Sequence, residues 1–480
     1  MSNENLKLKR ILGFAPAYGA AVGLVVSGTA MFSVGSVSGS TGYATFISAF
    51  IAMVPMMMAA FAFGELTAML PGGGMISDYT LPAMGRFWAT FALLNGYMVL
   101  IATDGGAQLV MGGLAVQKLT GIHQAIITFF LLLIVVVINI LNVNFYGKVE
   151  SIITILMMIL FVVLALSSVF HLGEFFAGAV PVNKDLNFLP NDGWKTVLGA
   201  TGSAIWFFIG FEFACPMAEE NKKPYKYIPY ALITGLVTIY IVDSLFAWAA
   251  VRYTDMDVLS TSSIPHIEAA KSMFGQVGYI VMISLTILAA FTTANAYLAS
   301  LPRMLYGLAR QGLVPKCFAR INKKFRTPIF GIIFTTIIIT VTIVYITFNG
   351  ADTSVVQGLI NVASITWMIS YAIAMLDVLI LRKKYPDFPR LWRVPFARIT
   401  MPLGILGVLF AIFTLKKYLP YALICMAIIS IYCFIWGKVK KIDLRTVPDI
   451  KDTVSNIRNR SEYLAVWDEA VDVWCKEHAK

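Results

Sequence analysis

The chain has 480 residues and a formal net charge of +11, with 58% hydrophobic and 13% charged residues. The charged share is about half of the roughly 25% that is typical of soluble domains. Apolar runs long enough to cross a hydrocarbon core of about 30 Å recur from end to end, so the composition excludes a water-soluble protein.

The hydrophobic pattern predicts an all-α polytopic membrane protein with twelve transmembrane helices. A short polar start, 1–10, precedes the first span, which we interpret as a retained helix rather than a cleaved signal peptide. The spans are predicted near 12–35, 43–70, 87–117, 124–143, 151–171, 194–218, 229–251, 276–308, 329–348, 355–381, 397–415 and 419–437.

The distribution of the positive charge predicts topology rather than nucleic-acid binding. With the N-terminus inside, the segments predicted to face the cytoplasm hold 30 of the 37 Lys and Arg residues. This is the positive-inside asymmetry, which predicts a protein of the cell inner membrane with both termini in the cytoplasm. Anionic lipid is expected to attract these segments. The five cysteines all fall in spans or on that side, and their spacing predicts no disulfide or zinc site.

Two hydrophobic segments are predicted to be broken near the middle of the membrane. One contains Ser27, Gly28 and Thr29, and the other runs from 203 to 212 and carries Glu212. A bilayer core offers no water to freed backbone groups, so such breaks are tolerated only beside protein or a wet cavity. A pair of interrupted spans in corresponding halves of the chain is typical of a transporter's substrate site.

The two breaks predict a receptor for a zwitterion. Backbone N–H groups at Ser27, Gly28 and Thr29 would receive a carboxylate, because the peptide dipoles of the following helix favour an anion. Backbone carbonyls near Phe207, Phe208 and Ile209 would accept hydrogen bonds from an ammonium group. The alternative for Ser27 and Gly28 is an ordinary small-residue contact between membrane helices.

Four stretches of the chain together resemble the amino acid–polyamine–organocation (APC) transporter superfamily, in particular its bacterial amino acid permeases and exchangers. They are 26–28, 65–74, 208–229 and 295–315, the last one followed by Thr327-Pro328. The resemblance covers roughly residues 10–335, and the order and distances of the four stretches make it specific.

The resemblance implies two inverted repeats of five helices, with discontinuous helices 1 and 6, followed by two peripheral helices. The expected segments are a cytoplasmic N-terminus at 1–10, the first repeat at 11–171, an extracellular loop at 172–193, the second repeat at 194–381, helices 11 and 12 at 382–437, and a cytoplasmic tail at 438–480. Within the tail, 463–474 has the apolar spacing of a helix, which we expect on the membrane face or against cytoplasmic loops.

The resemblance also implies roles for single residues. Trp206 matches an aromatic gate and Tyr297 another aromatic of the substrate site, although both residue types commonly serve as core or interface residues. Glu212 matches a proton-linked glutamate, and burial disfavours the charged form of such a carboxylate. Thr292 and Thr293 match a hydroxyl pair that holds Na⁺ in sodium-coupled proteins of this fold, but Thr in a membrane helix often bonds its own backbone.

Asp104 is the most distinctive ionisable residue of the predicted spans. An intramembrane carboxylate costs about 2.5–3.5 kcal/mol on insertion scales, so its presence requires a reason. We expect Asp104 either to pair with a substrate's amino group, which would favour a cationic amino acid, a diamine or another amine, or to serve as a second proton site. Glu65 and Asp377 are expected to pair with basic residues such as those at 382–384.

The sequence therefore predicts a secondary active transporter, a symporter or an exchanger, that moves an amino acid or a related organic amine by alternating access. A cationic amine or polyamine antiporter is the alternative, and a membrane-embedded enzyme or a channel is a remote one. We expect no catalytic residues and no cofactor, with coupling to H⁺, to Na⁺ or to neither. The expected partners are a small-molecule substrate, the lipid bilayer and, as an open alternative, a second copy of the chain.

Overall fold

The computed structural model describes residues 9–141, 145–322, 324–325, 327–350 and 353–478, and only the backbone of 145–152, 167–169 and 353. These residues form helices and no β-strand. The α-helices are α1 Phe14–Gly23, α2 Gly28–Thr41, α3 Thr45–Met69, α4 Ile76–Met84, α5 Arg86–Leu93, α6 Val99–Thr120, α7 Gln124–Leu141, α8 Phe145–Phe170, α9 Leu172–Ala177, α10 Trp194–Gly199, α11 Thr201–Ala204, α12 Pro224–Tyr253, α13 Met256–Thr261, α14 Pro265–Arg310, α15 Ile329–Asn349, α16 Thr353–Lys384, α17 Ala397–Thr414, α18 Leu419–Lys440, α19 Ile450–Arg460 and α20 Ala465–Glu477.

The all-α membrane fold is confirmed, while the number of spans stays a prediction. Among the described residues, nine helical stretches are long and apolar enough to cross a membrane, or ten if the bent pair Thr201–Phe207 and Phe211–Glu219 is one span. That count takes Gly28–Met69 as a single stretch of 42 residues. A straight helix of this length would measure about 63 Å, twice the hydrocarbon thickness.

The long helical stretches depart from regular α-helix at three places. Gly42, between α2 and α3, has a φ of +58°, which favours glycine. The backbone of α14 kinks at Phe274 and Gly275, directly before the predicted start of its span at 276. A π-helical turn, Leu94–Met98, joins α5 to α6. Such turns often occur at functional sites.

Helix α6 packs closely against its neighbours at the centre of the bundle. This helix lies against α14 and α15 as well as α2. A Cβ atom on Gly105 would be 2.9 Å from Ile339 Cγ1, and one on Gly106 would be 2.7 Å from Thr342 Cβ. The two glycines that follow Asp104 therefore let α15 approach, in the manner of small residues at membrane helix contacts.

Both ends of the described chain lie at one end of the helix bundle, which we call the terminal face. Arg10 contacts Ser461 and Glu462 there. Glu65, at the same end of α3, forms an ion pair with Arg382 and lies 3.4 Å from Arg390, as predicted for an acid near a span end. Asp377 was expected to pair likewise, but it accepts a hydrogen bond from Thr80 at 2.6 Å. That prediction was wrong because a hydroxyl of α4 reaches the carboxylate.

Candidate substrate site between two broken helices

The first break separates α1 from α2. Helix α1 ends at Gly23, and α2 begins at Gly28 with Ser27 as its N-cap residue. Ser27 Oγ accepts a hydrogen bond from the Ala30 N–H at 3.1 Å, which satisfies one of the free amides at this helix start. The next free amide, Thr29 N–H, donates to Gln108 Oε1 at 3.3 Å. The predicted interruption is thus present, with Gly28 and Thr29 as the first residues of the second half.

The second break lies between the stretch Thr201–Phe207, which ends in a 3₁₀ turn, and the 3₁₀ helix Phe211–Glu219. The two stretches are bent by 42° relative to each other across the turn 208–210. Gly210 in this turn has a φ of +112°, a conformation that side chains rarely adopt. A Cβ atom on Gly210 would lie 2.7 Å from Leu24 Cδ2, in the unwound segment of the first break. The two breaks therefore meet.

Four of the predicted site residues come together between the breaks. Thr29 Oγ1 donates to Asp104 Oδ1 at 2.8 Å, and Tyr297 Oη donates to Asp104 Oδ2 at 2.7 Å. Trp206 Nε1 donates to Thr29 Oγ1 at 3.2 Å. Asp104 and Thr29 are fully buried, and Trp206 and Tyr297 nearly so. Elements from both broken spans, α6 and α14 thus converge on one carboxylate.

Gln108 completes this cluster, and the sequence reasoning missed it. Its side-chain amide donates to Thr29 Oγ1 at 2.6 Å and to Asp104 Oδ2 at 3.3 Å, while its carbonyl oxygen accepts from Thr29 N–H. The signal that identifies it is spacing, because residues four apart on a helix lie on the same face. Gln108 is one turn after Asp104 on α6.

The carboxylate of Asp104 has only neutral hydrogen-bond partners among the described residues. These are the hydroxyls of Thr29 and Tyr297 and the amide of Gln108. Hydrogen bonds favour the ionised form of a carboxylate, while burial opposes it. A buried ion without a counter-charge is unfavourable, so this arrangement suits a cation that arrives from outside the protein.

Glu212 lies in a second buried cluster. Its carboxylate accepts hydrogen bonds from Tyr97 Oη at 3.1 Å and from Tyr371 Oη at 2.5 Å. Tyr97 belongs to the π-helical turn before α6, and Tyr371 belongs to α16. The ring of Phe213 packs against both Tyr97 and Tyr297, which places one aromatic side chain between the Glu212 and Asp104 clusters.

The other predicted site residues lie near these clusters, and their roles stay predictions. Phe207, Phe208 and Ile209 are buried in and next to the turn after Trp206. Thr292 Oγ1 donates to the Ala289 carbonyl of its own helix at 3.2 Å. Thr293 Oγ1 is buried and has no hydrogen-bond partner among the described residues. A buried hydroxyl of this kind is suited to bind a hard cation. Across all described residues, no group of three or more His, Cys, Asp or Glu side chains is arranged to hold a metal ion.

Comparison with known proteins agrees with this architecture. Residues 12–441 match the family model described as amino acid permease. The branched-chain amino acid permease of Bacillus subtilis is 25% identical over 88% of this chain and 93% of its own length. The glutamate/serine transporter of the same organism is 27% identical over 76% and 69%.

Further matches extend the comparison to substrate variety and to fold. The lysine-specific permease of Lactococcus lactis is 29% identical over 62% of this chain and 60% of its own. A crystal structure of a manganese transporter from Eremococcus coleocola shares the fold, with a TM-score of 0.58 at 14% identity over 95% of this chain and 99% of that one. The chain belongs to the amino acid permease family, and it is a multi-pass secondary transporter that moves amino acids or related amines across a membrane.

Proposed function

We propose that Asp104 binds a cationic amino group of the substrate other than the α-ammonium group, so that the transporter prefers a cationic amino acid or a diamine to a neutral amino acid. The observation that carries this proposal is the completely buried carboxylate between two broken helices, whose hydrogen-bond partners in the described part of the chain are all neutral. A substrate ammonium would supply the missing counter-charge and form charge-assisted hydrogen bonds, which are about twice as strong as neutral ones.

The start of α2 is the second half of the proposed site. Thr29 N–H now donates to the Gln108 carbonyl oxygen, so the position favoured for an anion is filled by a neutral amide. A substrate carboxylate would replace this oxygen, and the Gln108 amide N–H would then donate to the carboxylate. Gln108 would therefore contribute to recognition of amino acids, and a decarboxylated amine would leave it in place.

Trp206 is proposed to close over the bound substrate. Its indole N–H bonds Thr29, so a single side chain joins the second break to the first. Release of substrate would require this contact to open. The carbonyls of Phe207, Phe208 and Ile209 remain proposed acceptors for the α-ammonium group of an amino acid.

Asp104→Asn tests the proposal through the ratio between two substrates. The variant removes the negative charge while keeping the shape, so binding of L-lysine and of its decarboxylated amine, cadaverine, should weaken about tenfold or more, a change of about 1.4 kcal/mol. Binding of L-leucine should weaken less. Thermal-shift titrations and competition for labelled substrate in proteoliposomes measure these affinities.

Asp243→Asn is the matched control, because Asp243 is also a buried acid but belongs to α12. It should leave the lysine-to-leucine ratio unchanged. Equal losses for all three ligands in Asp104→Asn would contradict the proposed contact. A cadaverine affinity that exceeds that of every amino acid would favour the second candidate function, an antiporter of cationic amines. This candidate is supported by the Gln108 carbonyl oxygen, which already occupies the position at Thr29 N–H where a substrate carboxylate would bind.

For energy coupling we propose a proton that binds Glu212. Support comes from its complete burial and from partners that are both neutral tyrosines. Sodium at Thr292 and Thr293 is the alternative, supported by the Thr293 hydroxyl, for which the described residues provide no hydrogen-bond partner. Exchange without an ion is the third. We also propose that the terminal face is cytoplasmic, as the distribution of Lys and Arg predicts. Assembly as a dimer stays a prediction.

A further inference from the structure

The halves of the broken spans that point toward the terminal face are tied together at their ends. Leu12 N–H donates to the Glu220 carbonyl at 2.9 Å, and Lys222 N–H donates to the Leu12 carbonyl at 2.9 Å. Arg10 Nη1 also donates to the Ala218 carbonyl at 2.6 Å. Helix α1 and the 3₁₀ helix Phe211–Glu219 are therefore linked by backbone hydrogen bonds just beyond the ends at which substrate would leave.

Three consecutive residues of the C-terminal tail contact both linked half-spans. Arg10 Nη2 donates to Ser461 Oγ, and Arg10 Nε donates to the Glu462 carbonyl, each at 3.0 Å. Arg460 Nε lies 3.1 Å from Glu219 Oε1 in an ion pair. We call Arg460, Ser461 and Glu462 the tail clamp. Arg10 precedes one half-span and Glu219 ends the other, so the clamp holds both.

The clamp is in turn fixed to helices that contain no break. Arg460 Nη2 donates to Asp78 Oδ2 of α4 at 2.7 Å. Trp467 Nε1 of α20 donates to the carbonyl of Met69, at the end of α3, at 2.9 Å. The ring of Trp474 packs on Phe388, just beyond α16, with centroids 4.9 Å apart. The tail thus connects the movable ends to the rest of the bundle.

The charges at this junction are sheltered from solvent. Asp78 and Glu219 are buried, and Arg460 is about one-fifth exposed in its ion pairs. Sheltered pairs are screened less by salt than surface pairs. Opening toward the terminal face would pull Glu219 away from Arg460 and leave buried charges without partners, which is unfavourable.

From these contacts we propose that the tail is an autoinhibitory clamp that holds the transporter closed toward the terminal face. Arg460 is its central residue, because it joins Glu219 of a broken span to Asp78 of an unbroken helix. Release of the tail frees the two linked half-spans to move away from α3 and α4, and transport accelerates.

Cys215 is a built-in reporter of this movement. It is fully buried on the 3₁₀ helix Phe211–Glu219, beside Thr67 of α3 and Tyr79 of α4. Separation of that helix from α3 and α4 would expose the thiol. The measurement is the rate of maleimide labelling of purified full-length protein in which the other four cysteines, Cys317, Cys425, Cys433 and Cys475, are replaced by alanine.

Arg460→Gln should raise the labelling rate about tenfold, equivalent to about 1.4 kcal/mol, and should raise the uptake rate in proteoliposomes. Arg458→Gln is the matched control, since Arg458 pairs only with Asp468 and Asp472 among the described acids, both within the tail. Its labelling rate should equal that of the parent protein. Equal rates in the two variants would overturn the clamp.

Glu219→Gln provides a second, milder variant for the case in which Arg460→Gln does not fold. In the parent protein, Gly73 N–H donates a hydrogen bond to Glu219 Oε1 at 2.8 Å, and the glutamine oxygen can still accept it. The ion pair with Arg460 is lost. Labelling should again accelerate, and slower or unchanged labelling in this folded variant would contradict the proposal. Labelling needs no substrate, so this result is independent of the role of Asp104.

Discussion

Asp104 and Glu212 are both fully buried carboxylates, and their different positions support the different roles proposed for them. Asp104 accepts hydrogen bonds from Thr29 at the start of α2 and from Tyr297 of α14, so a ligand between the breaks would meet it directly. Glu212 is bonded to tyrosines of the π-helical turn and α16. The first position supports the proposed substrate contact, and the second supports the proposed proton site.

Replacement of Glu212 tests the proton role. Glutamine cannot exchange a proton, so Glu212→Gln should make uptake insensitive to an imposed proton gradient, which should accelerate the parent protein several-fold. One tyrosine hydroxyl can still donate to the amide oxygen and the other can accept from the amide N–H, so folding should be retained. The measurement is initial uptake of labelled substrate into proteoliposomes with and without the gradient.

Thr293→Val is the control for this experiment, because it removes the unpartnered hydroxyl without changing a carboxylate. It should leave the gradient response intact. If instead uptake of the parent requires Na⁺ and Thr293→Val abolishes that requirement, sodium rather than Glu212 couples transport.

For single residues, the sequence predicted which side chains belong to the site better than it predicted the contacts that each one makes. Thr29, Asp104, Trp206 and Tyr297 were expected at the site and do form one cluster. Gln108 was overlooked because a glutamine within a span carries no charge to draw attention. The pairing of Asp377 with Thr80 could not be foreseen, since it depends on which face α4 turns toward α16.

The two breaks are the elements on which the mechanism depends, and glycine makes the second one possible. Gly210 combines a φ of +112° with a Cβ position only 2.7 Å from Leu24 Cδ2. The conformation disfavours a side chain, and a Cβ atom there would force the end of Leu24 to shift. The meeting of the breaks thus rests on a residue that the sequence reasoning placed in the motif but did not single out.

Gly210→Ala should lower thermal stability and slow transport. The backbone conformation alone costs about 1–2 kcal/mol with a side chain present, and the clash with Leu24 adds to this. Gly199→Ala, in α10, is the control, because a Cβ there meets no atom within 4 Å. Differential scanning fluorimetry of both variants measures the effect, and equal melting temperatures would argue against a constrained break.

For the whole molecule, composition and periodicity predicted a polytopic helical fold with interruptions in two spans. The tail was predicted only in part. The helix expected at 463–474, on the membrane face or against cytoplasmic loops, appears as α20, but α19 and the individual docking contacts were not anticipated. Docking depends on contacts such as Arg460 with Asp78 and Trp467 with Met69, which join residues nearly 400 positions apart. Local sequence patterns carry no information about such pairs.

Counterflow in proteoliposomes tests alternating access most directly. Vesicles preloaded with an unlabelled cationic amino acid or amine, such as L-lysine or cadaverine, should take up the same labelled compound faster than vesicles without it. Asp104→Asn should lose most of this stimulation. Uptake that is indifferent to preloading across a panel of amino acids and amines would contradict a carrier with one site between the broken helices.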